Sequence, residues 1–205
     1  MNNLLETKTQ RIEYGESAEH WVVNKINSLN LPNWEVEFLQ NRYDIKRNHN
    51  EGDILLKYKL DNNQIIPIYI DVKASTGTYD YPVIKVNYMQ NNQIVYDTLE
   101  YFKDVTHNFY LGIGRYDKNL ENDTNIEFSY SLGITKRMIE KMTNNNCEFV
   151  NQYKKSSNKH DGDFISMKYF VNENDKSFMP VGKLTTLLEV LDVIEKYIKI
   201  CLKIN

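Results

Sequence analysis

Cysteine and long apolar runs are what this sequence most lacks. Only Cys147 and Cys201 stand among 205 residues, which excludes a disulfide framework and gives no paired spacing of metal ligands. No apolar run approaches about 18 residues, so no transmembrane helix is predicted, and the opening MNNLLETKTQ has no apolar segment of the kind found in signal peptides. We therefore expect a cytoplasmic protein that does not contact a membrane.

The sequence also has no excess of positive charge. Its 25 Lys and Arg against 28 Asp and Glu give a net charge of −3, which disfavours a general nucleic-acid coat protein, because such proteins bind mainly by neutralising phosphates. A nuclease is not excluded, since clustered carboxylates that hold cations can make an enzyme acidic while its DNA path alone is basic. With 41% hydrophobic residues and 15 Tyr, the chain is too apolar to be disordered.

Two helices are predicted with good periodicity. Apolar residues at helical spacing predict a first helix over residues 16–30 and an amphipathic helix over 184–204, which we interpret as cover for the core. Less regular patterns predict a helix through 88–103 and a short basic helix over 134–142.

Between these helices, alternating apolar and polar residues predict strands. The predicted strands cover residues 34–40, 52–60, 64–75, 107–117, 125–133 and 164–171. The chain is therefore expected to be an α/β (α+β) protein with one domain over 1–205. Its core would span about 13–142, and residues 143–205 would form a C-terminal elaboration.

The second and third strands are predicted to form a hairpin around the turn residues DNN at 61–63. Within IPIYIDVKAS (66–75), the isoleucines and Val72 fall on one face, while Asp71 and Lys73 fall on the other. A three-residue loop would place Asp53 directly opposite Asp71. A five-residue loop would keep both carboxylates on one face, and a four-residue loop would separate them.

Two carboxylates facing each other on a sheet repel, so folding favours the pair only with a compensating positive charge. A divalent cation or Lys73 would supply it. Two carboxylates from different strands together with a backbone carbonyl suit Mg²⁺, which takes few protein ligands and keeps several waters. Lys73 would then orient a water or stabilise negative charge on a phosphate. The competing interpretation is an ordinary solvated charge pair formed by Asp71 and Lys73.

These residues resemble the PD-(D/E)XK nuclease superfamily. Asp71-Val72-Lys73 matches the (D/E)XK half, and Asp53 matches the first aspartate, with Gly52 where the family has proline. The segment GESAEH (15–20) is similar to the opening helix of archaeal-type Holliday junction resolvases, in which an Ala-Glu pair supplies a carboxylate. That residue corresponds to Glu19, with Glu16 as the alternative.

The resemblance implies a restriction endonuclease-like core in the order α-β-β-β-α-β, with a central mixed sheet of four to five strands flanked by helices. It implies a DNA endonuclease that depends on Mg²⁺, or on Mn²⁺ as a substitute. Asp53, Asp71, Glu19 and the Val72 carbonyl would hold the metal, and Lys73 would activate water or stabilise charge. The products would carry 5′-phosphates, and cutting two strands favours a homodimer.

Three questions stay open on sequence alone. The substrate is either of a restriction type or of a junction or mobile-element type. The protein is alternatively a catalytically inactive member of the fold that binds DNA or assembles with other proteins, or an unrelated α/β interaction module. Basic and polar residues near the site are candidates for DNA phosphate contacts, although charge runs are usually solvated. These candidates are Arg42, Lys46, Arg47, Ser75, Lys136 and Arg137.

Overall fold

The computed structural model describes residues 8–39, 52–74, 83–85, 88–90, 93–96, 109–114, 126–131, 164–166 and 181–203. Ten strands and two helices lie within these ranges. In chain order they are α1 (Lys8–Ser28), β1 (Trp34–Phe38), β2 (Ile54–Lys59), β3 (Ile65–Ala74), β4 (Val83–Lys85), β5 (Tyr88–Gln90), β6 (Gln93–Tyr96), β7 (Phe109–Gly114), β8 (Glu127–Ser131), β9 (Phe164–Ser166), β10 (Val181–Leu184) and α2 (Leu187–Leu202).

The main sheet has six strands in the order β1-β2-β3-β7-β8-β10. Neighbouring strands are antiparallel except β3 and β7, which are parallel. A parallel pair needs a long crossover connection, and residues 75–108 make it. Two smaller pairs, β4 with β9 and β5 with β6, complete the described strands. The architecture is a mixed sheet with helices, which confirms the α+β class.

Both helices pack on the same face of this sheet. Alternate residues of the central strands, among them Ile70, Val72 and Leu111, form one buried cluster with Ala18 of α1 and Ile194 of α2. We call this the helix-covered face. Because side chains alternate along a strand, the intervening residues lie on the other side, which we call the opposite face. Asp71, Lys73, Gly112 and Ser129 belong to it.

Helix α2 shows why the C-terminal segment folds as it does. Thr186 caps its first turn in a capping box with Glu189, which satisfies backbone donors that would otherwise have no partner. Leu191, Ile194 and Ile198 are buried on one side. The Tyr58 hydroxyl of β2 donates a hydrogen bond to the Glu195 side chain. The pKa of Tyr58 is raised mainly by its burial and next by this hydrogen bond. The prediction that this helix covers the core is confirmed.

Helix α1 begins earlier than predicted. It runs from Lys8, through Gly15, to Ser28, whereas the sequence was expected to start the helix near residue 16. Glycine within a helix costs only about 1 kcal/mol relative to alanine, which the packing of Ala18, Val22 and Ile26 in the core readily offsets.

Two expectations about the secondary structure were wrong. The main sheet has six strands instead of four to five, because β10 pairs with β8 from within the C-terminal segment. The helix through 88–103 is not formed at its start, where β5 and β6 pair with Tyr88 opposite Tyr96. β-Branched and tyrosine residues around an Asn-Asn turn signal favour such a hairpin. The short helix over 134–142 lies outside the described residues.

Among the described residues, neither helix has both the length and the apolarity needed to cross a membrane.

Candidate functional site

The β2–β3 hairpin has the predicted register. Its pairs run from Lys59 opposite Ile65 to Ile54 opposite Ile70, and the Leu60 N–H donates to the Gln64 carbonyl at 2.9 Å. The loop is therefore the three-residue segment 61–63. Asp53 and Asp71 are the next residues beyond the Ile54–Ile70 pair, so the hairpin brings both carboxylates to the same end of the two strands.

Asp53 is held from both neighbouring strands. Its carbonyl accepts from the Leu39 N–H at 3.0 Å, and its own N–H donates to the Ile70 carbonyl at 2.8 Å. The ladder register would pair Asp53 with Asp71, so this bond to Ile70 is shifted by one residue. In addition, Asp53 Oδ2 accepts from the Val72 N–H at 2.7 Å. The carboxylate thus takes the place of a backbone acceptor where the ladder ends, and its position relative to Val72 is fixed.

Gly52 makes this arrangement possible. Its φ is +79°, a conformation that side-chain-bearing residues rarely adopt. A Cβ added there would lie 2.8 Å from the Ile70 carbonyl oxygen, which is closer than atoms of that size can approach. The backbone therefore requires glycine at position 52. Proline, which the family motif has here, has a fixed φ of about −65° and could not adopt this conformation.

Lys73 forms an ion pair with Asp71, in which Nζ contacts Oδ1. The two residues share the opposite face, as their spacing predicts. The side chains are 36% and 17% exposed, respectively, so the pair is neither fully solvated nor fully buried. A positive charge therefore compensates the Asp71 carboxylate.

Glu19 lies on α1 and is buried, with 1% of its surface exposed. A buried carboxylate is costly unless it is compensated, so Glu19 is not an ordinary surface charge. Its neighbours Ala18 and Val22 belong to the core on the helix-covered face, whereas Asp71 belongs to the opposite face. Within the described residues, no group of three or more His, Cys, Asp or Glu side chains is arranged to hold a metal ion.

Asp53, Asp71 and the Val72 carbonyl nevertheless provide a donor set of hard oxygens. A residue in a β ladder directs its N–H and its C=O toward the same neighbouring strand, so the Val72 carbonyl faces the side on which Asp53 bonds its N–H. Each carboxylate has two oxygens with about four acceptor positions. This chemistry fits Mg²⁺.

The predicted DNA contacts do not fall on the described strands and helices. Arg42, Lys46, Arg47, Ser75, Lys136 and Arg137 all lie outside the described residues.

The sheet brings further residues beside Lys73 that the sequence analysis did not single out. Lys73 pairs with Gly112 of β7, Gly112 with Ser129 of β8, and Ser129 with Lys183 of β10. This row of four residues crosses the opposite face. No local pattern predicts it, because it depends on which distant strands pair.

No family model, curated protein or solved structure matches the chain.

Proposed function

We propose that this protein is a metal-dependent DNA endonuclease of the PD-(D/E)XK type. The observation that carries the proposal is the end of the β2–β3 hairpin. There the Asp53 carboxylate is fixed on the Val72 N–H at 2.7 Å, next to a carboxylate, Asp71, that is paired with Lys73. Two carboxylates at the same end of a hairpin, together with a backbone carbonyl, are oxygen ligands of the kind that Mg²⁺ prefers.

In this proposal, Asp53, Asp71 and the Val72 carbonyl would hold the cation. Glu19 stays the predicted further carboxylate, although the described residues do not group it with the other two. A bound divalent cation would supply an activated water and neutralise charge on the phosphate. Lys73 holds an ammonium beside the reacting phosphate and stabilises the negative charge that develops there. Asp53 cannot rotate freely, because its bond to Val72 sets its orientation.

The order of the elements also supports the proposal. A helix, three antiparallel strands and a later strand, β7, that is parallel to the third agree in part with the expected order α-β-β-β-α-β. The helix expected before the parallel strand is not among the described residues, where β4, β5 and β6 precede β7. The candidate site lies where β2 begins and β3 ends, and there Asp53 and Asp71-Val72-Lys73 resemble the two halves of the motif.

DNA is the proposed substrate, and a homodimer is the proposed assembly. Cutting both strands of a duplex or a junction takes two sites, and a two-fold dimer supplies them. Arg42, Lys46 and Arg47 precede β2 in the chain, and we propose them as phosphate contacts, with Ser75, Lys136 and Arg137 as further contacts.

The test is cleavage of supercoiled, linear and four-way-junction DNA with Mg²⁺ or Mn²⁺, and with EDTA as the metal-free control. We expect cleavage that EDTA abolishes and that Asp71→Asn and Lys73→Ala reduce by at least about a hundredfold. Lys59→Ala is the matched control, because Lys59 is an exposed lysine at the other end of the same hairpin. Cleavage that persists in Asp71→Asn would contradict the assigned site.

A catalytically inactive member of the fold is the second candidate, and one observation favours it. The contact of Lys73 with Asp71 balances a carboxylate within the protein, without a metal. On this alternative, none of the substrates is cut and Mn²⁺ produces no thermal shift, while DNA binding persists in EDTA. The two candidates are therefore separated by the same set of reactions.

A further inference from the structure

A cavity opens between α1 and the start of α2, on the helix-covered face of the sheet. Its volume is about 220 Å³, and its walls come from both helices and from β8. The side chains that shape it include Trp21, Lys25, Leu29, Phe128, Leu187 and Leu188. None of the described residues that line it lies on β2 or β3, so the cavity is separate from the end of the hairpin.

The walls of this cavity are mostly aromatic and aliphatic. The Trp21 indole lies nearly parallel to the Phe128 ring, at 19° and with 6.2 Å between the ring centroids. Leu187 is buried, whereas Leu188 keeps 48% of its surface exposed. An apolar cavity of about 150 Å³ has room for a benzene molecule, so this one has room for a single aromatic ring with a short side chain.

Lys25 sets the charge of the cavity. It follows Trp21 by one helical turn, and its Nζ lies 5.9 Å from the centroid of the Trp21 ring. Among the described residues that line the cavity, Lys25 alone is charged. The Glu189 carboxylate at the start of α2 is held by the N–H groups of Thr185 and Thr186, at 2.7 Å and 3.0 Å. A ligand that fits these walls therefore combines an aromatic ring with one negative charge.

We propose that the cavity between α1 and α2 binds a small aromatic carboxylate. The ring packs against Trp21 and the leucines, where its apolar surface leaves water, and the carboxylate pairs with the Lys25 ammonium. This inference goes beyond the proposed function and does not rest on it. A ligand in this position contacts both helices at once, so its binding should also raise the melting temperature.

Phenylacetate is the probe, and the two tryptophans report where it binds. These are Trp21 and Trp34, and Trp34, which packs on Tyr58, does not line the cavity. In ¹H–¹⁵N spectra we expect phenylacetate to shift the Trp21 indole N–H signal saturably, with a dissociation constant of about 0.1–1 mM for a ligand of this size. The Trp34 signal should not move, and Trp34→Phe identifies it.

A neutral ligand and two variants test the role of the charge. 2-Phenylethanol has the same ring without the carboxylate and should bind about three- to tenfold more weakly. Lys25→Met keeps an apolar side chain of similar length and removes the ammonium. It should weaken phenylacetate binding by the same factor and leave 2-phenylethanol binding unchanged. Lys196→Met is the matched control, because Lys196 is an exposed lysine of α2 that does not line the cavity, and it should change neither affinity.

The outcomes are distinct. A saturable shift of Trp21 alone, weakened by Lys25→Met for phenylacetate only, supports the proposal. The proposal is overturned if neither compound shifts Trp21 in the millimolar range, if both bind equally well, or if Lys25→Met weakens both equally. A Trp21 signal that moves with protein concentration alone also overturns it, because a second copy of the chain would then occupy the cavity. No DNA is present in these experiments, so the inference and the proposed function stand or fall separately.

Discussion

At the scale of single residues, Asp53 has two separable properties. Its Oδ2 atom accepts the Val72 N–H at 2.7 Å, which is a structural bond, and its charge is the property that a cation would use. Asparagine keeps an oxygen of similar position and loses the charge, whereas alanine loses both. The pair of substitutions therefore separates folding from cation binding at one position.

We expect Asp53→Asn to keep the wild-type free energy of unfolding within about 1 kcal/mol and to lose Mn²⁺ binding. Asp53→Ala should cost about 1.5–3 kcal/mol, because a charge-assisted bond is lost and the Val72 N–H keeps no acceptor. Urea denaturation measures the stability, and calorimetry measures the binding. Equal destabilisation by the two variants would show that the oxygen at 2.7 Å is not the stabilising contact.

Gly52 gives a second prediction at this scale. Gly52→Ala should destabilise the protein by about 2–3 kcal/mol, because the left-handed backbone becomes strained and the new methyl group would lie 2.8 Å from the Ile70 carbonyl oxygen. Gly52→Pro installs the residue of the family motif and should be worse, since proline cannot adopt a φ of +79°. Thermal unfolding measures both. A proline variant as stable as the wild type would refute this account of the glycine.

At the scale of elements, the β2–β3 hairpin could be predicted because its signals are local. The turn residues at 61–63 and the alternation of IPIYIDV set both the register and the face of Asp71. The bond from Val72 to Asp53 could not be predicted, because it depends on a shift of the backbone at Gly52. The row from Lys73 to Lys183 was also beyond prediction, since it requires the parallel pairing of β3 with β7.

The N-terminal end of α2 gives the prediction at this scale. Hydrogen bonds to the Glu189 carboxylate lower its pKa. The largest effect comes from the backbone N–H of Thr185, and the next from the Thr185 hydroxyl. A lowered folded-state pKa contributes stability that is present above the ordinary glutamate value of about 4.3 and is lost as the pH falls through the folded value. The free energy of unfolding should therefore decrease below about pH 4.5, and part of this decrease should be absent in Glu189→Gln. Urea denaturation across pH 3–7 tests it, and identical pH slopes would contradict it.

At the scale of the whole molecule, the C-terminal segment belongs to the same core as the candidate site. β10 extends the sheet beside β8, and α2 packs its buried residues against strands on the helix-covered face. The sequence marked α2 clearly by its periodicity, but β10, with glycine at its second position, carried no alternation that would place it in the sheet. The core that supports the β2–β3 hairpin is therefore built from both ends of the chain.

A core shared in this way should unfold as one unit. Ile194 is 1% exposed on α2, and Ile194→Ala should cost about 2–5 kcal/mol. Ile200, on the same helix, is 75% exposed, and Ile200→Ala should change stability by less than about 0.5 kcal/mol. If α2 and the sheet unfold together, amide exchange in β2 and β3 should accelerate in Ile194→Ala by the factor that corresponds to the loss of global stability. Faster exchange confined to residues 187–202 would instead show that α2 opens alone and that the site end of the hairpin is independent of it.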